Sequence, residues 1–202
     1  VNMEDFLIRN IKKDGKHVLL ESPVPSNPAK DTDYLALKVA KRLKSEGYKI
    51  LAYGAGPLKT HRDCVDEYYQ APNLSKMNDL YTRATILIKA TKYDSRALAP
   101  MEAMTKGTVT ARAIINGDDN LIHNVNCLRG GYEEDTLYYH AKTLLTDHSL
   151  REKLSENCID YVTKFSWEFW MKRINAILSG DPSKYMEILT EAYANHSIGG
   201  RN

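Results

Sequence analysis

Short apolar runs alternate along the chain with segments of helical period. The runs at His17–Glu21, Lys49–Tyr53, Val65–Ala71, Ile86–Ile88 and Thr108–Ala113 have the length of buried strands. After the first of them, Pro23, Pro25 and Pro28 bar a helix, and Asp31 or Thr32 offers an N-cap. Leu35, Val39, Ala40 and Leu43 then recur at helical spacing until Gly47 stops them. Ser75 is the expected cap of a helix holding Met77, Leu80 and Tyr81. Beyond the strand at Thr108–Ala113, Asn116–Gly117 ends the run and 119–123 predicts a turn or a short helix. Helical patterns follow over Glu133–Thr146, Ser149–Phe165, Trp167–Leu178 and Ser183–Asn195, the last leading into a glycine-rich tail. Strands that alternate with helices predict an α/β fold, a parallel sheet with helices on both faces and ligands at the carboxyl ends of its strands.

Composition sharpens this in a few places. A chain of 202 residues that is 43% hydrophobic has enough apolar matter for one full core. Its 28 basic residues nearly balance its 26 acidic ones, which argues against a broad surface for the phosphate backbone of nucleic acid. Cys64, Cys127 and Cys158 are odd in number and far apart, which fits a reducing compartment better than a disulfide framework, and no Cys/His set has metal-ligand spacing. No apolar run reaches the roughly 18 residues of a membrane span.

The densest chemistry lies in Thr85–Gly107. The strand at Ile86–Ile88 is followed by a polar turn, then by Pro100 at a position that a first helical turn tolerates, then by Met101, Glu102, Ala103, Met104 and a terminating Gly107. One carboxylate, Asp94, precedes the helix and another, Glu102, lies inside it. The turn presents backbone amides at a helix start, a setting suited to phosphate. This stretch resembles the donor-binding motif of retaining glycosyltransferases of the GT-B fold, the "group 1" family: an acid, a Gly-Phe-Gly turn, Pro, then Leu-Glu-Ala-Met-Ala and Gly. Pro100, Met101, Glu102, Ala103, Met104 and Gly107 match the pattern and Asp94 stands for its first Glu, whereas Ser95, Arg96 and Ala97 depart from Gly-Phe-Gly. Gly54-Ala-Gly56-Pro57 resembles the family's Gly-x-Gly-Pro at the exit of the second strand, and Leu144–Arg151 resembles its Leu-Leu-x-Asp-x-x-Leu-Arg run. Residues 1–6 resemble its interlobe linker, and Phe165–Trp167 the start of its C-terminal helix.

The resemblance implies a Rossmann-like C-terminal lobe of a GT-B enzyme. Residues 1–16 would be the interlobe linker, 17–178 the nucleotide-sugar domain, and 179–202 a C-terminal helix and tail without a counterpart. It implies that Lys30 and the amides of Ser95, Ala97 and Leu98 neutralise the donor diphosphate without a metal or other cofactor. Arg96 is an additional cation there, or else points to solvent or toward an N-terminal lobe. The family's loop Arg is missing, with Ser22 or Pro23 in its place. Gly54 and Gly56 would pack at the nucleotide side of the sheet, and Tyr69 and Ala71 would lie near the base, although a tyrosine pair also serves strand packing. Glu102 would bind the ribose hydroxyls and Asp94 the sugar beside the anomeric carbon, with Asp94 and Lys30 as the catalytic pair. As local chemistry alone, both acids also suit capping roles. A facing glycosidase pair fits this arrangement less well. His61, His123 and His140 have no motif around them and read as surface or packing residues.

The function so implied is transfer of a hexose, with retention, from a UDP or GDP sugar. This chain would supply the donor-binding lobe and would be inactive alone. Its partners would be the nucleotide sugar, an N-terminal acceptor lobe and a membrane-associated acceptor reached through that lobe, with no nucleic acid. The expected location is the cytoplasm, including the inner face of the membrane. Two alternatives share the sheet: a degenerate, non-catalytic module that binds a nucleotide or serves assembly, and another nucleotide-sugar enzyme such as an epimerase.

Overall fold

The computed structural model describes residues 11–21, 31, 33–94, 97–117, 120–164, 167–180 and 183–184. Its strands are β1 (His17–Glu21), β2 (Lys49–Gly54), β3 (Glu67–Gln70), β4 (Ile86–Ala90), β5 (Tyr93–Asp94), β6 (Val109–Ala113), β7 (Asn116–Gly117) and β8 (Cys127–Gly130). The helices are α1 (Leu35–Ser45), α2 (Leu74–Arg83), α3 (Leu98–Met104), α4 (Glu134–Thr146), α5 (His148–Thr163) and α6 (Trp167–Leu178). Six strands form one parallel sheet in the order β3-β2-β1-β4-β6-β8, and β5 pairs with β7 in a small parallel ladder beside it. Counted along the large sheet alone, the order is 3-2-1-4-5-6, that of a doubly wound fold. Its direction of winding reverses between β1 and β4, and in open α/β sheets that reversal opens a crevice at the carboxyl ends of the strands.

The strands sit where the apolar runs put them, and every pairing in the large sheet is parallel. The alternation of side chains sorts the core into two layers. Val18, Leu20, Ile50, Ala52, Ile86 and Ile88 face the side that α1 and α4 cover, while Leu19, Leu51 and Leu87 face Leu80, Tyr81 and Ala103 of α2 and α3. The three cysteines are buried and form no disulfide with one another. Among the described residues, no helix is long and apolar enough to cross a membrane.

Four points differ from expectation. The sixth strand, β8, has no counterpart in the apolar pattern, because its sequence, CLRG, is short and half polar. The Asn126 side chain builds the turn before it, accepting from the Ile122 amide at 2.8 Å and donating to the Asn120 carbonyl at 2.9 Å. The α2 cap is Asn73 rather than Ser75, with Oδ1 accepting from the Lys76 amide at 2.9 Å. Asp31 caps α1 from outside the helix: Tyr34 occupies the cap position with φ 54°, and Asp31 reaches over it to accept from the amides of Leu35 (2.7 Å) and Ala36 (2.8 Å). Tyr132, from the loop before α4, donates to the same carboxylate at 2.5 Å. Burial raises the Asp31 pKa, and these donors offset part of that rise. The helix expected over Ser149–Phe165 runs from His148 to Thr163, capped by Asp147. The one expected over Ser183–Asn195 lies outside the described residues beyond 184.

Candidate active site at the switch point

The register places one row of polar side chains across the whole sheet. Tyr53 pairs with Tyr69 and with Glu21, and Arg112 pairs with Lys89 and with Arg129. Leu20 pairs with Ile88, which sets Glu21 beside Lys89 across the switch point. From β3 to β8 the row reads Tyr69, Tyr53, Glu21, Lys89, Arg112, Arg129. It lies one step beyond the apolar residues of the α2/α3 layer, at the carboxyl ends of the strands.

Its centre is ionic. Lys89 Nζ lies 2.5 Å from Glu21 Oε2 and 3.2 Å from Asp94 Oδ2, and Arg112 Nη2 lies 3.6 Å from the same Asp94 oxygen. Arg112 also donates to Thr91 Oγ1 at 2.6 Å and to the Lys89 carbonyl at 3.4 Å. Lys89 is 4% exposed and Arg112 wholly buried, so the cations are committed to these partners. Two acids and two bases balance inside the crevice, as buried charge requires.

Asp94 reaches this centre because β5 holds it there. Its strand partner Gly117 has φ 106°, and a Cβ at that position would lie 1.8 Å from the Asp94 carbonyl oxygen. The close approach therefore requires glycine. The Asp94 side chain is 12% exposed, and among the described residues both its ion pairs go to Oδ2.

Glu102, on α3, is held differently. Tyr81 Oη donates to Glu102 Oε2 at 2.9 Å, and Tyr53 Oη lies 2.8 Å from Tyr81 Oη. Burial pushes both phenols well above their usual pKa, so both stay protonated. Because the Tyr81 proton goes to the carboxylate, Tyr53 is the donor in the second bond. Burial raises the Glu102 pKa, and the Tyr81 hydrogen bond counters that. Among the described residues Glu102 Oε1 accepts no hydrogen bond.

The remaining site residues divide. Ala97 is buried at the cap of α3, and Leu98, its first residue, is exposed at the rim. Gly54 ends β2, and its carbonyl accepts from the Ala71 amide at 2.8 Å, with Ala71 at φ 44°. Gly56 does not pack tightly as the resemblance implies, since a Cβ there would meet open space. Tyr69 is tied into packing: its hydroxyl donates to Glu67 at 2.6 Å, and Lys76 lies 4.8 Å from its ring centroid. Lys30, Ser95 and Arg96 lie outside the described residues. Sequence reasoning missed Glu21, Lys89, Arg112 and Tyr81. A signal for the first three was available: each is a charged residue ending or interrupting an apolar run, a place where charge must find a partner. Among the described residues no group of His, Cys, Asp and Glu is arranged to hold a metal ion.

No protein-family model and no curated protein matches the sequence. Solved structures do match its shape. The C-terminal domain of a glycosyl transferase group 1 family protein, LpcC from Francisella tularensis, superposes with a TM-score of 0.65 at 13% identity over 83% of this chain and 99% of that domain. TarM from S. aureus, solved in complex with UDP, gives 0.65 at 17% identity over 90% of this chain and 36% of its own. Sucrose-phosphate synthase from Thermosynechococcus elongatus gives 0.67 at 17% identity over 89% and 51%. The chain thus spans an excised domain whole, but about half or less of the longer transferases. At these identities the likeness establishes the fold, that of the C-terminal lobe of a GT-B glycosyltransferase.

Proposed function

From the fold of a GT-B C-terminal lobe as premise, we propose that this chain binds the nucleotide-sugar donor of a retaining glycosyltransferase. The observation that carries the proposal is the convergence of Asp94 and Glu102 on the crevice between β1 and β4, each tethered through one carboxylate oxygen. Glu102 would accept hydrogen bonds from the ribose diol, and Asp94 would orient the sugar hydroxyls near the anomeric carbon. The first-turn amides of Leu98 and Ala99, which have no acceptor inside their helix, would meet the diphosphate together with Lys30. The charges at the switch point balance one another, so the added charge of the phosphates falls to those groups. In transfer, the sugar–phosphate bond breaks, the acceptor hydroxyl bonds the anomeric carbon on the same face, and its proton passes to the departing diphosphate. The acceptor would be bound by a further lobe, and acceptors presented at a membrane fit that division of labour. Hexose transfer from UDP or GDP sugars, without a metal and in the cytoplasm, completes the reading.

Calorimetric titration of nucleoside diphosphates, with and without an attached hexose, tests it. The chain should bind one of them without added divalent cation. Glu102→Ala should weaken that binding by about 1.5–3 kcal/mol, the scale of lost charged hydrogen bonds, which is roughly tenfold to a hundredfold. A second reading, a lobe kept for assembly, draws on one observation: the switch-point cations are already occupied by the protein's own acids. Absence of all nucleotide binding would favour it.

A further inference from the structure

The chain of two phenols behind Glu102 is unlike the charged contacts that fill the rest of the crevice. It starts at Tyr53 on β2, passes to Tyr81 on α2 and ends on the carboxylate of α3, so it joins the sheet to both helices of that face. The rings meet edge to face, with centroids 6.2 Å apart and planes at 88°. Both tyrosines are buried, and each hydroxyl is satisfied by the next group in line. A merely apolar layer would need none of these hydroxyls, and phenylalanine would fill the same space. The chain's chemical effect is to fix one oxygen of Glu102 and hence the rotation of its carboxylate plane.

We infer that Tyr81, backed by Tyr53, is a positioning residue that sets the Glu102 carboxylate to recognise the 2′-hydroxyl of the bound nucleotide and so selects ribonucleotides over deoxyribonucleotides. The inference rests on the donor-site reading above. A carboxylate whose inner oxygen is held by a neutral donor keeps both its charge and the acceptor capacity of its outer oxygen. Rotation about the last bond would otherwise spread that acceptor over many directions, and a diol needs two aligned acceptors. The hydrogen bond also favours the ionised carboxylate. Among the described residues, four groups face it: Tyr81 from α2, Tyr53 from β2, Glu21 from β1 and Lys89 from β4. Of these only Tyr81 bonds to it directly, so loss of the Tyr81 hydroxyl raises the pH at which Glu102 takes up a proton.

The experiment titrates UDP, GDP and ADP, each with its 2′-deoxy counterpart, into the full chain, Tyr81→Phe and Tyr53→Phe, at pH 7.5 and at a series of lower values. The wild-type chain should favour one ribonucleotide over its deoxy form by about tenfold or more. Tyr81→Phe should bring that ratio within about threefold by weakening the ribonucleotide more than its deoxy form, which keeps only the 3′-hydroxyl for Glu102. It should also move the acid loss of ribonucleotide binding to higher pH. Tyr53→Phe, which removes only the far donor, should give an intermediate ratio and serves as the test if Tyr81→Phe does not fold. A ratio unchanged in the folded variants, or equal weakening of both nucleotides, overturns the inference and leaves Tyr81 a packing residue. A wild-type chain that binds ribo and deoxy forms equally overturns it too, while the donor reading stands. One that binds no nucleotide defeats the donor reading, and the inference with it.

Discussion

The two halves of the crevice solve one problem in different ways. On the β2 side, Glu102 is held by neutral phenols; on the β4 side, Asp94 is held by buried cations. Both leave one carboxylate oxygen without a partner among the described residues, but the consequences differ. The outer phenol, Tyr53, can be removed at the expense of one hydrogen bond, because what remains is an apolar ring in an apolar layer. A buried cation cannot, because it leaves carboxylates uncompensated in a medium that solvates them poorly. The cationic half is therefore a structural commitment, whereas the phenolic half is an adjustable one. Which acid tolerates change follows from what stands behind it rather than from the acid itself.

The largest expected effect tests that asymmetry. Lys89→Met strips the cation shared by Glu21 and Asp94 and should destabilise the fold by about 3–5 kcal/mol in urea unfolding, the range for breaking a buried ion pair. Tyr53→Phe should lose only about 1 kcal/mol, the net worth of one neutral hydrogen bond. Comparable losses in the two variants would show that the halves do not differ in kind. Replacing Glu21 and Lys89 together by Gln and Met should recover much of the stability, since the pair then leaves without stranding a charge.

A smaller effect separates the halves by ligand. Asp94→Asn keeps the shape of the side chain but weakens its acceptor character. It should erase most of the gain in affinity that an attached hexose gives over the bare nucleoside diphosphate, and leave the ribose preference intact. Glu102→Gln should do the reverse. Titration of both ligand types into both variants checks this crossing pattern, and parallel losses in the two variants would break it.

Much of this layout was legible in the sequence, and the illegible part has a common cause. β4 and α3 declare themselves locally: a buried apolar run, a turn, a proline in the first helical turn and Gly107 at its end. There φ is 63° and a Cβ would lie 2.4 Å from Ser155 Oγ. β8 and the β5/β7 ladder were hidden because short polar strands are defined by their neighbours and not by their own pattern. The Asp31 cap was half legible, since the residue was a candidate but its reach over Tyr34 and its bond to Tyr132 depend on a contact 101 residues away. Lys89 and Arg112 looked like interruptions in their strands, and only the strand order, which no periodicity encodes, brings Glu21 beside them.

The smallest effect concerns two glutamates on the phenolic side whose pKa values move in opposite directions. Glu67, on β3 beside the row's outermost residue Tyr69, is bonded by Arg83 at 2.7 and 3.1 Å and by Tyr69 at 2.6 Å, and its pKa falls to about 2. Among the described residues Glu102 has the phenol but no bonded cation, and burial raises its pKa. Linkage fixes the signs. The depressed Glu67 contributes stability that is present above its unfolded value, near 4.5, and is lost as pH falls toward about 2. The raised Glu102 contributes stability that is present below 4.5 and is lost as pH rises through its folded pKa. Relative to wild type, Glu67→Gln should therefore catch up on acidification, and Glu102→Gln should fall behind. Because Glu67 is 39% exposed, its effect is reduced by solvent and by salt. Urea unfolding of the three proteins between about pH 2 and 7 at low ionic strength measures both slopes. Slopes of the same sign would mean that a buried phenol and a guanidinium at the surface hold a carboxylate in the same way.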